Sequence, residues 1–163
     1  MSLTGFADEN NYVREVGYES PLPVTSSYSG RKATKTTTYA ALTTGAVGAH
    51  TLFTVTGEVF VKIFGACTVN VASGAGATTE IGVAGNTAAL IAQTSAVDID
   101  AGDIWYDNTP VVGTTVVTNI TERLIANGAD IIETIGTDTL TGGTVTVYCY
   151  WTPLSAGSSV VAA

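Results

Sequence analysis

Between His50 and Val71 the chain alternates with the two-residue period of an extended strand. Val59, Val61 and Ile63 fall on one side and Phe60, Lys62 and Phe64 on the other. β-branched and aromatic residues dominate the stretch, and Thr56-Gly57-Glu58 interrupts it, which predicts two strands joined as a hairpin or meander. Both faces of the second strand are bulky and apolar except at Lys62. A strand of that kind needs cover on both sides, which places it centrally in a sandwich or against a neighbouring subunit.

Downstream, short apolar runs are divided by turn residues at intervals of roughly ten, the spacing of an all-β sandwich or barrel. The segment from Ala72 to Ala77 reads as a turn and Thr79 to Val83 as a strand. Ala88 to Gln93 reads as a strand or a helical turn, and Ala96 to Ile99 as a short strand. Asp100 to Asp103 forms a turn before Ile104-Trp105-Tyr106, and Asn108-Thr109-Pro110 ends that strand. Val111 to Ile120 is β-rich, Glu122 to Ala126 is ambiguous, and Asn127-Gly128 is a tight-turn signal before a strand from Asp130 to Ile135. In the last strand Val145, Val147, Cys149 and Trp151 share a core face, while Thr144, Thr146, Tyr148 and Tyr150 share a face suited to contact or to water.

The two ends lack this period. Residues 1 to 45 hold Pro21, Pro23, Tyr12, Tyr18, Tyr28 and Tyr39 and a hydroxyl-rich run after Thr34, too polar for a core of their own. Tyrosine gives large contact area at small entropic cost, so the stretch reads as an extended arm laid along a neighbour. Arg31, Lys32 and Lys35 form a basic cluster in it that would meet acidic residues of another copy. Pro153 closes the last strand, and residues 154 to 163 read as a small-residue flexible tail. The expectation is therefore an arm over 1–45, a β-sandwich body over 46–153 and a tail. About eight strands suit a jelly roll or an immunoglobulin-like sandwich. Trp105 lies between Cys67 and Cys149, but Val147 stands where the immunoglobulin corner tyrosine belongs, which favours the jelly roll.

Composition turns the picture toward contact. Charged residues make up only 12% of 163 and mean hydropathy is +0.33, values that fit either a threonine-coated sandwich or a chain whose surface is partly buried by partners. The net charge of −8 sits on the body, where only Lys62 and Arg123 offset the acids beyond residue 35. An acidic body lacks the Lys and Arg that neutralise phosphates, so nucleic acid is not an expected partner. The amino-terminal residues lack the pattern of a signal peptide and no run reaches the roughly 20 apolar residues of a membrane span, so no membrane association is expected. Cys67 and Cys149, both in apolar runs, read as free buried thiols, with a cross-sandwich pair as the alternative.

No residue set spells a reaction, and no enzyme activity or cofactor is expected. His50 is the single histidine, too little for a site of several imidazoles, and its ordinary role is structural. Asp98, Asp100 and Asp103, with Asp107, form the richest acidic cluster. Carboxylates near a glycine gather calcium in some loops, but the order of a calcium-binding loop is absent and turn-forming aspartates are the plainer reading. Trp105 and Tyr106 beside them would make a sugar platform in a receptor- or glycan-binding module of a fibre or tail, the alternative function.

GEVFVKIFGACTVNV, GATTEIGVAGNTAALIAQT, DIDAGDIWYD, IANGADIIETI and TVYCYWTPLSA, in that order, resemble a family of small virion structural proteins of tailed bacteriophages. The likeness spans about residues 48 to 156. It implies a protein of the phage particle, similar to capsid decoration (cement) proteins, which sit on the capsid as trimers and clamp neighbouring major capsid proteins. The expected partners are then other copies of the chain and the major capsid protein, at the capsid surface. The expected interface residues are Tyr12, Tyr18, Tyr28, Arg31, Lys32, Lys35, Tyr148 and Tyr150.

Overall fold

The computed structural model describes residues 31–163. Eleven strands follow in chain order: β1 (Lys32–Thr38), β2 (Gly48–Thr56), β3 (Val59–Ser73), β4 (Thr78–Val83), β5 (Asn86–Ser95), β6 (Asp103–Trp105), β7 (Val111–Val112), β8 (Arg123–Ile125), β9 (Ile131–Gly136), β10 (Leu140–Pro153) and β11 (Ser159–Ala162). All pairings are antiparallel. One sheet runs β1-β10-β3-β6-β7, with β8 also paired to β3, and the other runs β11-β2-β9-β4-β5. The chain is an all-β sandwich.

Alternation decides which side chains go inside. Val59, Val61, Ile63 and Cys67 of β3 and Val145, Val147 and Cys149 of β10 point inward from the first sheet. Phe53, Val55, Ile81, Ile91, Ile131 and Ile135 meet them from the second. Burying one such side chain contributes roughly 1.5–3 kcal/mol, so this shared core holds the two sheets together. Trp105 is fully buried; opposite it lies Gly65, where a Cβ would stand 3.2 Å from the indole. Its Nε1 donates to Thr94 Oγ1 at 2.8 Å, which satisfies the one polar atom of the ring. The register of β10 shifts around Gly142 and Thr144. Gly143 between them has φ +112° and would set a Cβ 2.6 Å from Val71 Cα, so only glycine fits this bulge.

The core also holds one carboxylate. Glu133 lies on the inward face of β9 between Ile131 and Ile135 and is 1% exposed. Its Oε1 accepts from Tyr39 Oη at 2.6 Å and from Thr79 Oγ1 at 3.0 Å. Burial pushes the Glu133 carboxyl above its ordinary range, and the two hydroxyls partly oppose that. Tyr39 is raised well above the usual phenol value, first by burial and then by the charge of Glu133.

Several expectations change. The body begins at Lys32 rather than 46, because β1 pairs with β10 from Lys32↔Tyr150 to Thr38↔Thr144. Its lysines and threonines have no apolar period; what makes it a strand is the free edge of β10 beside it. Tyr39, expected in the arm, is a core residue. The tail is not free either, since β11 pairs with β2 and buries Val160. Ser158 Oγ fastens its start by donating to Glu58 O at 2.9 Å. Thr56-Gly57-Glu58 is not a hairpin: β2 and β3 belong to different sheets, so the turn is a corner between layers. Asn127-Gly128 is a tight turn with positive φ at both residues, yet it too joins different sheets. Ala96–Asp98 forms a 3-10 helix instead of a strand, and of Val111 to Ile120 only Val111–Val112 pairs. Residues 113–120 belong to no strand, and Val116 is 82% exposed.

Candidate functional site: an aromatic outer face

The outward residues of β1, β10 and β3 stand in register and form rows across the sheet. One row is Lys32, Tyr150 and Lys62, the next is Thr34, Tyr148 and Phe64, and the third is Thr36, Thr146 and Ala66. β8 adds Leu124 opposite Phe60, and β6 adds Ile104 opposite Ala66. The three central rings make one stack. Phe64 lies 5.3 Å from Tyr148 at 28° and 6.2 Å from Tyr150 at 18° between centroids. Lys32 Nζ stands 5.6 Å from the Tyr148 ring centroid, a cation–π distance.

Within the rows, β1 and β10 are tied by hydroxyls. Thr36 and Thr146 lie 2.9 Å apart at their oxygens and Thr38 and Thr144 3.2 Å apart. At the other end Lys62 pairs with Glu122 at 3.7 Å, a bond between two half-exposed groups that adds little stability. Tyr150 is 43% exposed and Leu124 56%, while Phe60, Phe64 and Tyr148 are half-buried. The face thus offers flat rings, hydroxyls and lysine heads to whatever meets it. Its chemistry is that of contact, with no nucleophile and base brought together upon it.

Three of the expected interface residues, Lys32, Tyr148 and Tyr150, meet on this face. Lys35 does not: it lies on the inward side of β1, where its ammonium donates to Ala163 O. The alternation along β1 puts it there, because Lys32 and Lys35 are an odd number of residues apart. Arg31 is exposed. Tyr12, Tyr18 and Tyr28 lie outside the described residues. Phe64 is the member missed, although its outward parity in the first strand pattern marked it.

Of Asp98, Asp100 and Asp103, the last two hold carboxylate oxygens that accept from within the turn and from Asn70. Asp103 Oδ2 accepts from Asp100 N at 3.1 Å, and Asp100 Oδ1 accepts from Asn70 Nδ2. No group of three or more His, Cys, Asp or Glu placed to hold a metal ion occurs among the described residues. The sugar platform of the alternative reading loses its tryptophan: Trp105 is in the core, and a strand residue facing inward offers no ring to solvent. Cys67 and Cys149 are free and buried, and burial pushes the Cys149 thiol up to about 12. Among the described residues no helix is long and apolar enough to cross a membrane. Comparison with protein-family models, curated proteins and solved structures finds no match for the chain.

Proposed function

We propose that the chain is a non-enzymatic structural protein of a tailed-bacteriophage particle: a decoration, or cement, protein that binds the outer shell as a homo-oligomer and stabilises it. The carrying observation is the outer face of the first sheet, where Phe64, Tyr148 and Tyr150 stack across two adjacent rows, the outer one flanked by Lys32 and Lys62. Rings on an outward face gain only part of their burial in one chain and the rest from a partner. In this reading the face grips the major capsid protein, and the low-charge body closes with other copies, as a trimer. Many equivalent weak grips then hold strongly through multivalency.

The fold proposed with it is a jelly roll carrying an extended amino-terminal arm. The strand orders support that connectivity: β1-β10-β3-β6 faces β2-β9-β4-β5, with successive strands crossing between layers except at the β4–β5 pair and from β6 through β8, which stay in the first sheet. The arm is now confined to residues before Lys32 and adds contact to neighbours at the capsid surface. The test is to compare particles assembled with and without the protein. Loss of resistance to heat when it is omitted supports the reading, and unchanged resistance contradicts it.

A further inference from the structure

At the side of the sandwich where β1 meets β2, a cavity of about 350 Å³ opens, lined among others by Lys35, Thr37, Thr44, His50, Thr51 and Glu133. That is near the lower end of small-molecule sites, which run from about 300 to 1,000 Å³. Glu133 comes to its wall from β9, directly opposite His50 of β2. Oε1 of Glu133 is taken by Tyr39 and Thr79. Its second oxygen, Oε2, is buried and accepts no hydrogen bond among the described residues. Native interiors rarely leave a carboxylate oxygen so, and one that borders a cavity is a place for a donor.

The rest of the lining points the same way. His50 Nε2 lies 2.7 Å from Ala46 O. A carbonyl only accepts, so Nε2 carries a proton and that position is already used. Thr37 brings a hydroxyl, which both donates and accepts, while Thr44 Oγ1 is already used, donating to Thr38 O at 2.6 Å and accepting from Ala40 N at 3.1 Å. Lys35 is the one cation among the lining residues, and its ammonium is engaged by Ala163 O. The fixed groups left over are therefore acceptors, and the strongest is a carboxylate oxygen.

We infer that this cavity is a binding site for a primary ammonium group, which donates to Glu133 Oε2 and to the Thr37 hydroxyl that also lines it. An ammonium brings three donors and a charge, which makes its bond to the carboxylate stronger than a neutral hydroxyl's. The group belongs either to a free alkylamine or to a lysine side chain of another protein.

The test is amide NMR of the full chain at constant ionic strength, titrated with n-propylammonium, with N-acetyl-lysine amide, with n-propanol and with tetramethylammonium. Both primary amines should shift the amides of His50, Thr51, Leu52 and Glu133 saturably, while propanol and the quaternary ion, which lacks N–H donors, should not. Tighter binding of the capped lysine than of propylammonium identifies a protein side chain as the occupant, and the reverse identifies a free amine. Glu133→Gln should weaken binding at least about tenfold, because Tyr39 and Thr79 keep the amide oxygen and turn the NH₂ to the cavity. Lys35→Gln, which removes the competing cation at a half-buried edge position, should tighten binding even if the first variant fails to fold. No saturable response to either amine up to about 100 mM, or an equal response to propanol, would overturn the inference. So would unchanged or weaker binding in Lys35→Gln.

Discussion

The two sheets turn very different outer faces away from their shared core. The first shows Phe60, Phe64, Tyr148, Tyr150 and Leu124, while the corresponding side of the second shows Ala49, Thr51 and Thr54 with the aliphatic Ile132 and Val161 and no aromatic ring among them. Both follow the same alternation, so strand propensity does not explain the contrast. Small and hydroxylated residues are all that a wet sheet face requires. Rings in a half-exposed row leave apolar area facing water unless something covers it. What differs is the stack of rings, and in the proposed function the first sheet is the one a partner covers.

The largest expected effect lies beneath that face and calibrates it. Trp105→Ala should cost about 3–5 kcal/mol in urea unfolding, since it empties the core and strands Thr94 without its donor. A loss under about 1 kcal/mol would mean the indole is not the anchor of β6. Next comes the face itself. Phe64→Ser with Tyr148→Ser removes one stacked pair, worth about 0.5–1.5 kcal/mol beyond area, and should leave a cooperative melt. Collapse of folding would place those rings in the core rather than on a contact surface.

A pH series sharpens the contrast between the charged face and the one charge inside. Burial raises the Glu133 carboxyl above its unfolded value, so the folded chain holds that proton more tightly. The stability this supplies is full below the unfolded pKa and fades as pH rises through the raised one. Glu133→Gln never ionises. Its stability relative to the parent should therefore improve across that window, as read by denaturant midpoints at successive pH values; a constant difference would contradict the assignment. The smallest effect is on the second sheet, where Thr54→Ala at an exposed position should change stability by no more than about 0.5 kcal/mol.

Much of this was legible along the chain and some was not, for identifiable reasons. β3, β9 and β10 announce themselves because large residues alternate with period two. β1 and β11 do not, because an edge strand is completed by its neighbour's backbone, and that neighbour is far away in sequence. The Gly57 turn shows where the chain bends but not to which layer it goes, so a corner was expected as a hairpin. On the face, Tyr148 and Tyr150 follow from alternation within β10, whereas their stacking on Phe64 depends on a long-range register. Glu133 was passed over inside IIETI, yet its parity with Ile131 and Ile135 is a local signal of a buried carboxylate. Trp105 was misjudged because neighbouring aspartates suggested solvent, while its place opposite Gly65 decides its burial.

The most direct measurement is retention on the particle. Particles assembled without the protein are incubated with the parent chain or with the Phe64→Ser, Tyr148→Ser variant, pelleted, and the bound copies counted. The account predicts saturating retention of the parent and at least about a tenfold loss for the folded variant. Equal retention of the two would show that the aromatic face is not what grips the shell.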